Sequence, residues 1–239
     1  MANGLTGTNF LSMPLVEIRF RIALLSFAGI AASLALWILA AQLFRTDVRS
    51  LPTDPETAAV AKLRREGAAL AASMGVIRGD LWAQSAFTYT DLYWANLDAP
   101  LKDTRSADAA RRTIEKALDY APHRTDVWLL LAALSSRFNW LHLDPTSALK
   151  MSFYTGPNEI SFIPMRLLVA TRASLLNDPE LQHFVVRDIR LILLRLPKLR
   201  PAIQTAYRAA NSTSRQIIET AVREVDPSFV DRLRSAPSG

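Results

Sequence analysis

Residues 22–44, IALLSFAGIAASLALWILAAQLF, carry no charged side chain, and no other run in the chain resembles them. At about 1.5 Å per helical residue, the run crosses a hydrocarbon core of roughly 30 Å with length left for tilt. Every face is apolar, unlike the one-sided core helix of a soluble protein. A cleavable signal has an apolar core of about 7–15 residues and a small-residue cleavage site. Here the run follows a polar start, Met1–Asn9, and Leu39-Ala40-Ala41 matches such a site poorly. It is therefore expected to remain as a single membrane anchor. Residues 1–21 then form a tail, 22–44 the transmembrane helix, 45–55 a linker, 56–234 a helical domain and 235–239 a second tail. Small residues recur within the span (Ala28 and Ala32, Gly29 and Ser33). They permit close helix packing, although such residues are also common filler.

The orientation is open from the charges alone. Arg19 and Arg21 precede the span; Arg45, Arg49, Lys62, Arg64 and Arg65 follow it. A plain count puts the C-terminal side in the cytoplasm, but large domains translocate largely regardless of charge. A short N-terminal tail with basic residues against the span fits an uncleaved signal-anchor. The expected arrangement is a single-pass inner (cytoplasmic) membrane protein with its domain on the periplasmic or external side.

The chain has 239 residues, 28 Lys+Arg against 22 Asp+Glu, and a formal charge of +6. The residues after the span, roughly 195 of them, suffice for one domain with its own core. There is no cysteine. That removes disulfides, thiolate catalysis, Cys-ligated zinc and iron–sulfur clusters.

Along the domain the signals are helical. Thr53-Asp54-Pro55-Glu56 combines a capping acid with Pro at the first helical position, and apolar residues from Ala59 to Met74 follow at helical spacing. Asp80 is expected to cap a helix over 81–95, and Asn96–Asp103 is a loop. Ser106–Ala121 sets Ala110, Ile114, Ala117, Leu118 and Ala121 on one face and its charges elsewhere, and Pro122 ends it. Asp126 and Asp144 are expected to cap two more helices. Further helices are expected at 161–176, 181–196 (apolar on most faces and hence buried), 202–210, 214–224 and 227–233. No segment alternates with period two between hairpin turns. The class is all-α.

The helices come as hairpins, and their spacing resembles the tetratricopeptide repeat. That unit pairs a W-x2-L-G-x2-Y first helix with an A-x3-F-x2-A second helix ending in Pro. Ala110, Ile114, Ala117 and Pro122 fall on the second-helix positions. Trp128, Leu131 and Ala132 then fall on the first-helix positions, as Trp82, Ser85, Ala86 and Tyr89 do earlier. The loop Asn96–Asp103 lengthens the first unit by about ten residues beyond the repeat, and Ser135 stands where the second unit expects an aromatic. The resemblance covers Gly79–Pro157. It implies a curved helical array (a solenoid) that binds peptides or protein segments and has no chemistry of its own. A single anchor followed by Gly-Asp-Leu-Trp (79–82) also resembles accessory proteins of bacterial exopolysaccharide systems.

Catalytic signals are missing from the sequence. His123, His142 and His183 are not spaced as metal ligands, and no H-E-x-x-H, G-x-S-x-G or phosphate-binding glycine loop occurs. His142 with Asp144 is at most an acid–base pair within a turn. The expectation is a non-enzyme without cofactor or metal. The strongest charge signal is Arg187, Arg190, Arg195, Lys198, Arg200, Arg208 and Arg215, with Asp188 the single acid among them. It reads either as a surface for anionic lipid, acidic glycan or an acidic protein, or as solvated residues on separate helix faces. Nucleic acid is the weaker partner, since no recognised motif accompanies the charge. The aromatic middle (Phe87, Tyr89, Tyr93, Trp94, Trp128, Phe138, Trp140) reads as core, with Trp94 and Trp140 placed to line a groove or touch the membrane interface. If the array binds a protein, Gln84, Thr88, Asp91, Ser135 and Asn139 on the first helices are the expected polar contacts.

These features together predict a membrane-anchored protein-binding scaffold of a cell-envelope assembly, with polysaccharide biosynthesis or export as its setting. The alternatives are an anchored enzyme subunit acting on glycan or lipid, and a structural subunit of a membrane complex.

Overall fold

The computed structural model describes residues 13–45, 48, 50–95, 104–138, 140 and 144–235. Among them all regular structure is helical. Helix α1 (Met13–Leu43) is long and apolar. The domain opens with α2 (Pro55–Leu63) and α3 (Arg65–Met74), continues through α4 (Gly79–Phe87), α5 (Asp91–Trp94), α6 (Thr104–Tyr120), α7 (Thr125–Phe138) and α8 (Pro145–Thr155), and closes with α9 (Ile163–Arg172), α10 (Pro179–Arg195), α11 (Arg200–Ala209), α12 (Ser212–Arg223) and α13 (Pro227–Ser235).

Two expected helices are each broken once. The segment 59–74 divides at Arg64, whose φ of −95° and ψ of 4° leave the helical region. The segment 81–95 divides at Thr88–Thr90. There the Thr88 and Thr90 hydroxyls donate to the carbonyls of Ser85 and Phe87, and the backbone tightens to i→i+3 bonds. Threonine side chains that bond back to the preceding turn compete with regular helix. Helix α10 is not buried all round: Leu181, Val185, Ile189 and Ile192 face the core, while Leu194 and Arg195 face outward.

Caps set several starts. Asp54 accepts from Thr57 N–H, Asp144 from Thr146 and Ser147, Asp178 from Glu180 and Leu181, and Asn211 from Ser214. Asp80 and Asp126 act differently from their expected capping role. Arg78 donates to Asp80 through both Nε (3.1 Å) and Nη2 (2.7 Å); Arg124 reaches Asp126 by the same two nitrogens. Two residues further on, the Trp82 indole donates to the Val76 carbonyl at 2.9 Å, and the Trp128 indole donates to the Pro122 carbonyl at 2.7 Å. Arg-x-Asp-x-Trp thus occurs twice with one local geometry.

Each copy also meets the end of its own hairpin in the same way. A Cβ on Gly79, the first residue of α4, would lie 2.6 Å from Ala121 Cβ just past α6; a Cβ on Gly156, just past α8, would lie 2.3 Å from Thr125 Oγ1 at the start of α7. Helix α4 packs on α6 and α7 on α8, while α9 packs on α11 and α10 on α12. One continuous apolar core runs through these helices, with Phe87, Ile114, Leu130, Leu149, Leu167, Ile192 and Phe229 all buried in it.

Candidate functional site: the apolar span and the helices behind it

Large side chains of α1 are exposed along its length, among them Leu25, Phe27, Ile30, Leu34, Trp37 and Leu43. The helix is long and apolar enough over Glu17–Leu43 to cross a membrane. An exposed surface of this kind cannot stay in water without cost, since each buried CH2 is worth about 0.8 kcal/mol. One residue near its end is covered. Ala41 is 2% exposed and packs with Ala72 of α3 and Leu81 of α4, with Met74 and Trp82 alongside. Arg45, just beyond the helix, lies 3.9 Å from Asp80, and the Gln84 amide, with its oxygen turned toward Arg45, accepts from the guanidinium at 3.1 Å. The domain is therefore clasped to the end of α1 by apolar and charged contacts together.

The expected partner contacts fall in different environments. Gln84, Thr88 and Ser135 are buried. As side chains they present no open groove here: α3 packs on α4 and α2 on α5, Arg65 of α3 donates to the Thr88 carbonyl at 2.8 Å, and Ser135 on α7 turns its hydroxyl back to the Ala132 carbonyl. Asp91 is mostly covered and accepts from Arg65, with Lys62 Nζ at 3.1 Å. Asn139 lies outside the described residues, as does His142. Trp94 and Trp140 are partly buried against the main core, Trp94 edge-on to Tyr93 and Trp140 stacked on Phe138.

The basic stretch is spread over α10, the turn 197–199, α11 and α12, and folding brings it acids that lie outside 187–215. Arg190 pairs with Glu224 and Arg200 with Asp226. Arg187 pairs with Asp188 and lies over Phe184. Arg215 stacks on Tyr207 and donates to the carbonyls of Tyr207 and Arg208. Among the described residues, Arg195, Lys198 and Arg208 make no ion pair.

Two buried charges sit behind this stretch. Arg166 is 0% exposed; its Nη2 donates to the carbonyls of Ser152 and Gly156 at the end of α8, and its guanidinium lies 4.6 Å from the Phe153 ring centroid. Burial pulls its pKa down to about 10. Asp188 is buried on α10, and burial holds its carboxyl above the usual carboxylate range despite the nearby arginines. Nothing in the sequence marks either residue as internal; each falls in a helical stretch with other charges around it. The arrangement closes the carbonyl end of α8, and no reacting atom is presented to solvent by it.

Metal chemistry has no ligand set among the described residues, where no group of three His, Asp or Glu gathers. A groove of about 480 Å³ lies beside the linker, lined by Val48, Leu51, Pro52, Thr57, Val60 and Arg64 among others. No protein-family model, no curated protein and no solved structure matches the chain.

Proposed function

We propose that this protein is a single-pass membrane scaffold whose helical domain holds a protein partner at the membrane surface. The observation that carries this is the pairing of a helix that is exposed and uncharged over residues 22–43 with a domain that begins with helix hairpins over 78–156. Exposed apolar surface of that length is stable in lipid, and stacked hairpins offer extended faces for protein segments. The two Arg-x-Asp-x-Trp hairpins support tetratricopeptide-like packing over 79–157. The polar contacts are to be sought on exposed positions of these hairpins, with Gln84, Thr88 and Ser135 acting from beneath them. A periplasmic or external domain within an envelope assembly, with polysaccharide biosynthesis or export as its setting, completes the proposal.

A reporter active only outside the cytoplasm, fused after Gly239, tests it. Activity supports the envelope assignment. Inactivity with a correctly inserted protein overturns that assignment, and the positive charges after the span then become the correct guide to topology.

A further inference from the structure

We infer that the α3–α4 corner, residues 70–82, is seated in the interfacial layer of the same membrane that α1 crosses, so that the domain rests on lipid and does not hang from a free tether. The inference rests on the spanning role of α1 proposed above. Arg21 and Arg45 bracket residues 22–44, which at 1.5 Å per residue rise about 34 Å and match the roughly 30 Å hydrocarbon core with little excess. Ala41 precedes the end of that segment by three residues, about 4.5 Å along the axis. It therefore lies at the edge of the hydrocarbon. Whatever covers Ala41 lies at that depth too, and its cover is Ala72, Leu81, Met74 and Trp82.

The exposed surface of the corner has the chemistry this depth requires. Outside α1 and Phe44, the large exposed apolar residues among those described are Val60, Leu63, Leu70, Val76, Ile77, Tyr120, Tyr154, Ile160 and Leu194. Three of them, Leu70, Val76 and Ile77, fall in the corner. Val76 and Ile77 form the turn itself, and Ile77 is 75% exposed. A turn that displays two β-branched apolar side chains is costly in water and favourable among lipid headgroups and upper acyl chains. Trp82 is partly exposed beside it, with its indole N–H held by the Val76 carbonyl, the amphipathic ring type that favours this layer. Arg45 and Arg78 both lie against Asp80 at the corner, which leaves one net positive charge there for a lipid phosphate. The surface is continuous with the lipid-facing side of α1, which identifies the bilayer as its occupant.

The absence of native cysteine gives a direct test. Single variants Leu34→Cys, Ile77→Cys and Leu194→Cys of the full chain, each at an exposed site, are labelled with an environment-sensitive fluorophore and reconstituted in phosphatidylcholine–phosphatidylglycerol vesicles. Lipids carrying a nitroxide at a shallow or deep acyl position are then added. The expected result is strong loss of fluorescence at Leu34 with the deep quencher, strong loss at Ile77 with the shallow one, and none at Leu194. Quenching at Leu34 without quenching at Ile77 overturns the seated corner and leaves the span intact. No quenching at either site removes the span and the inference with it. A blue-shifted, unquenched probe at Ile77 means that a second copy of the chain covers the corner, and it too overturns the inference.

Discussion

The hairpins over 78–156 and the helices over 157–235 are held by ion pairs of different reach. In the first region Arg78–Asp80 and Arg124–Asp126 join residues two apart, at equivalent places in two units. In the second, Arg190 finds Glu224, Arg200 finds Asp226 and Arg234 finds Glu219, each across a helix–helix contact. Lys150, with Asp178 at 2.8 Å and Glu180 at 3.0 Å, joins the two regions, and those acids hold its ammonium above the ordinary range. Local pairs fix how a hairpin starts; distant pairs fix how helices are placed against each other. The first kind repeats with the sequence, and the second does not.

The largest effect should come from the buried charge behind the second region. Arg166→Ala leaves the Ser152 and Gly156 carbonyls at the end of α8 without their donor and opens a cavity beside Phe153. It should cost about 2–5 kcal/mol, the range for a large buried side chain cut back to alanine. Urea denaturation of the full chain in detergent measures it. Arg166→Met, which keeps most of the volume but not the donors, should recover part of that loss. If the single variant is neutral, the distant contacts do not carry the second region.

Next come the close approaches of the first. Gly79→Ala places a Cβ against the backbone of Tyr120 and Ala121, and overpacking of this kind should cost about 1–3 kcal/mol. Gly29→Ala on α1 meets nothing within 4 Å and should leave thermal unfolding of the domain unchanged. Smaller again, Trp82→Phe and Trp128→Phe each remove one indole hydrogen bond, worth about 1 kcal/mol. Similar losses in the two variants sharpen the equivalence of the hairpins; a large gap between them breaks it.

The smallest effect lies at the surface of the second region. Arg234 and the Tyr207 hydroxyl bond the Glu219 carboxylate and hold its pKa at about 2, against an ordinary 4.5. The unfolded chain binds that proton more readily, so the clasp between α12 and α13 stabilises the fold above the unfolded pKa and is lost as pH falls toward about 2. Glu219→Gln should lower the melting temperature slightly at neutral pH, with the difference from the parent vanishing as the pH approaches 2. Asp188 runs the other way. Its raised pKa means the folded state holds the proton more tightly, and its ionisation costs stability as pH rises.

Much of the first region was legible in the sequence. Helical spacing gave the class, and Pro122 and the capping acids Asp54 and Asp144 gave ends and starts. Asp80 and Asp126 stand at helix starts, where an acid reads most simply as a cap. The arginine two residues before each, together with the tryptophan two residues after, is the signal that corrects it. The basic stretch shows a different limit. Charge counted along a chain omits acids that folding delivers from elsewhere, here Glu224 and Asp226. Likewise no residue pattern announces that α3 will cover Thr88, or that Arg166 will lie inside, because both depend on how separate helices meet.

The contact at Ala41 has a consequence for how tightly the domain is held. It is small, and between separate molecules so few side chains would associate only weakly. Here α1 and α3 belong to one chain and are joined through residues 45–54 and α2. A connection of that length keeps the two surfaces at an effective concentration on the order of millimolar. A feeble complementarity is then enough to hold the domain at one angle to α1, so that every copy presents the same face.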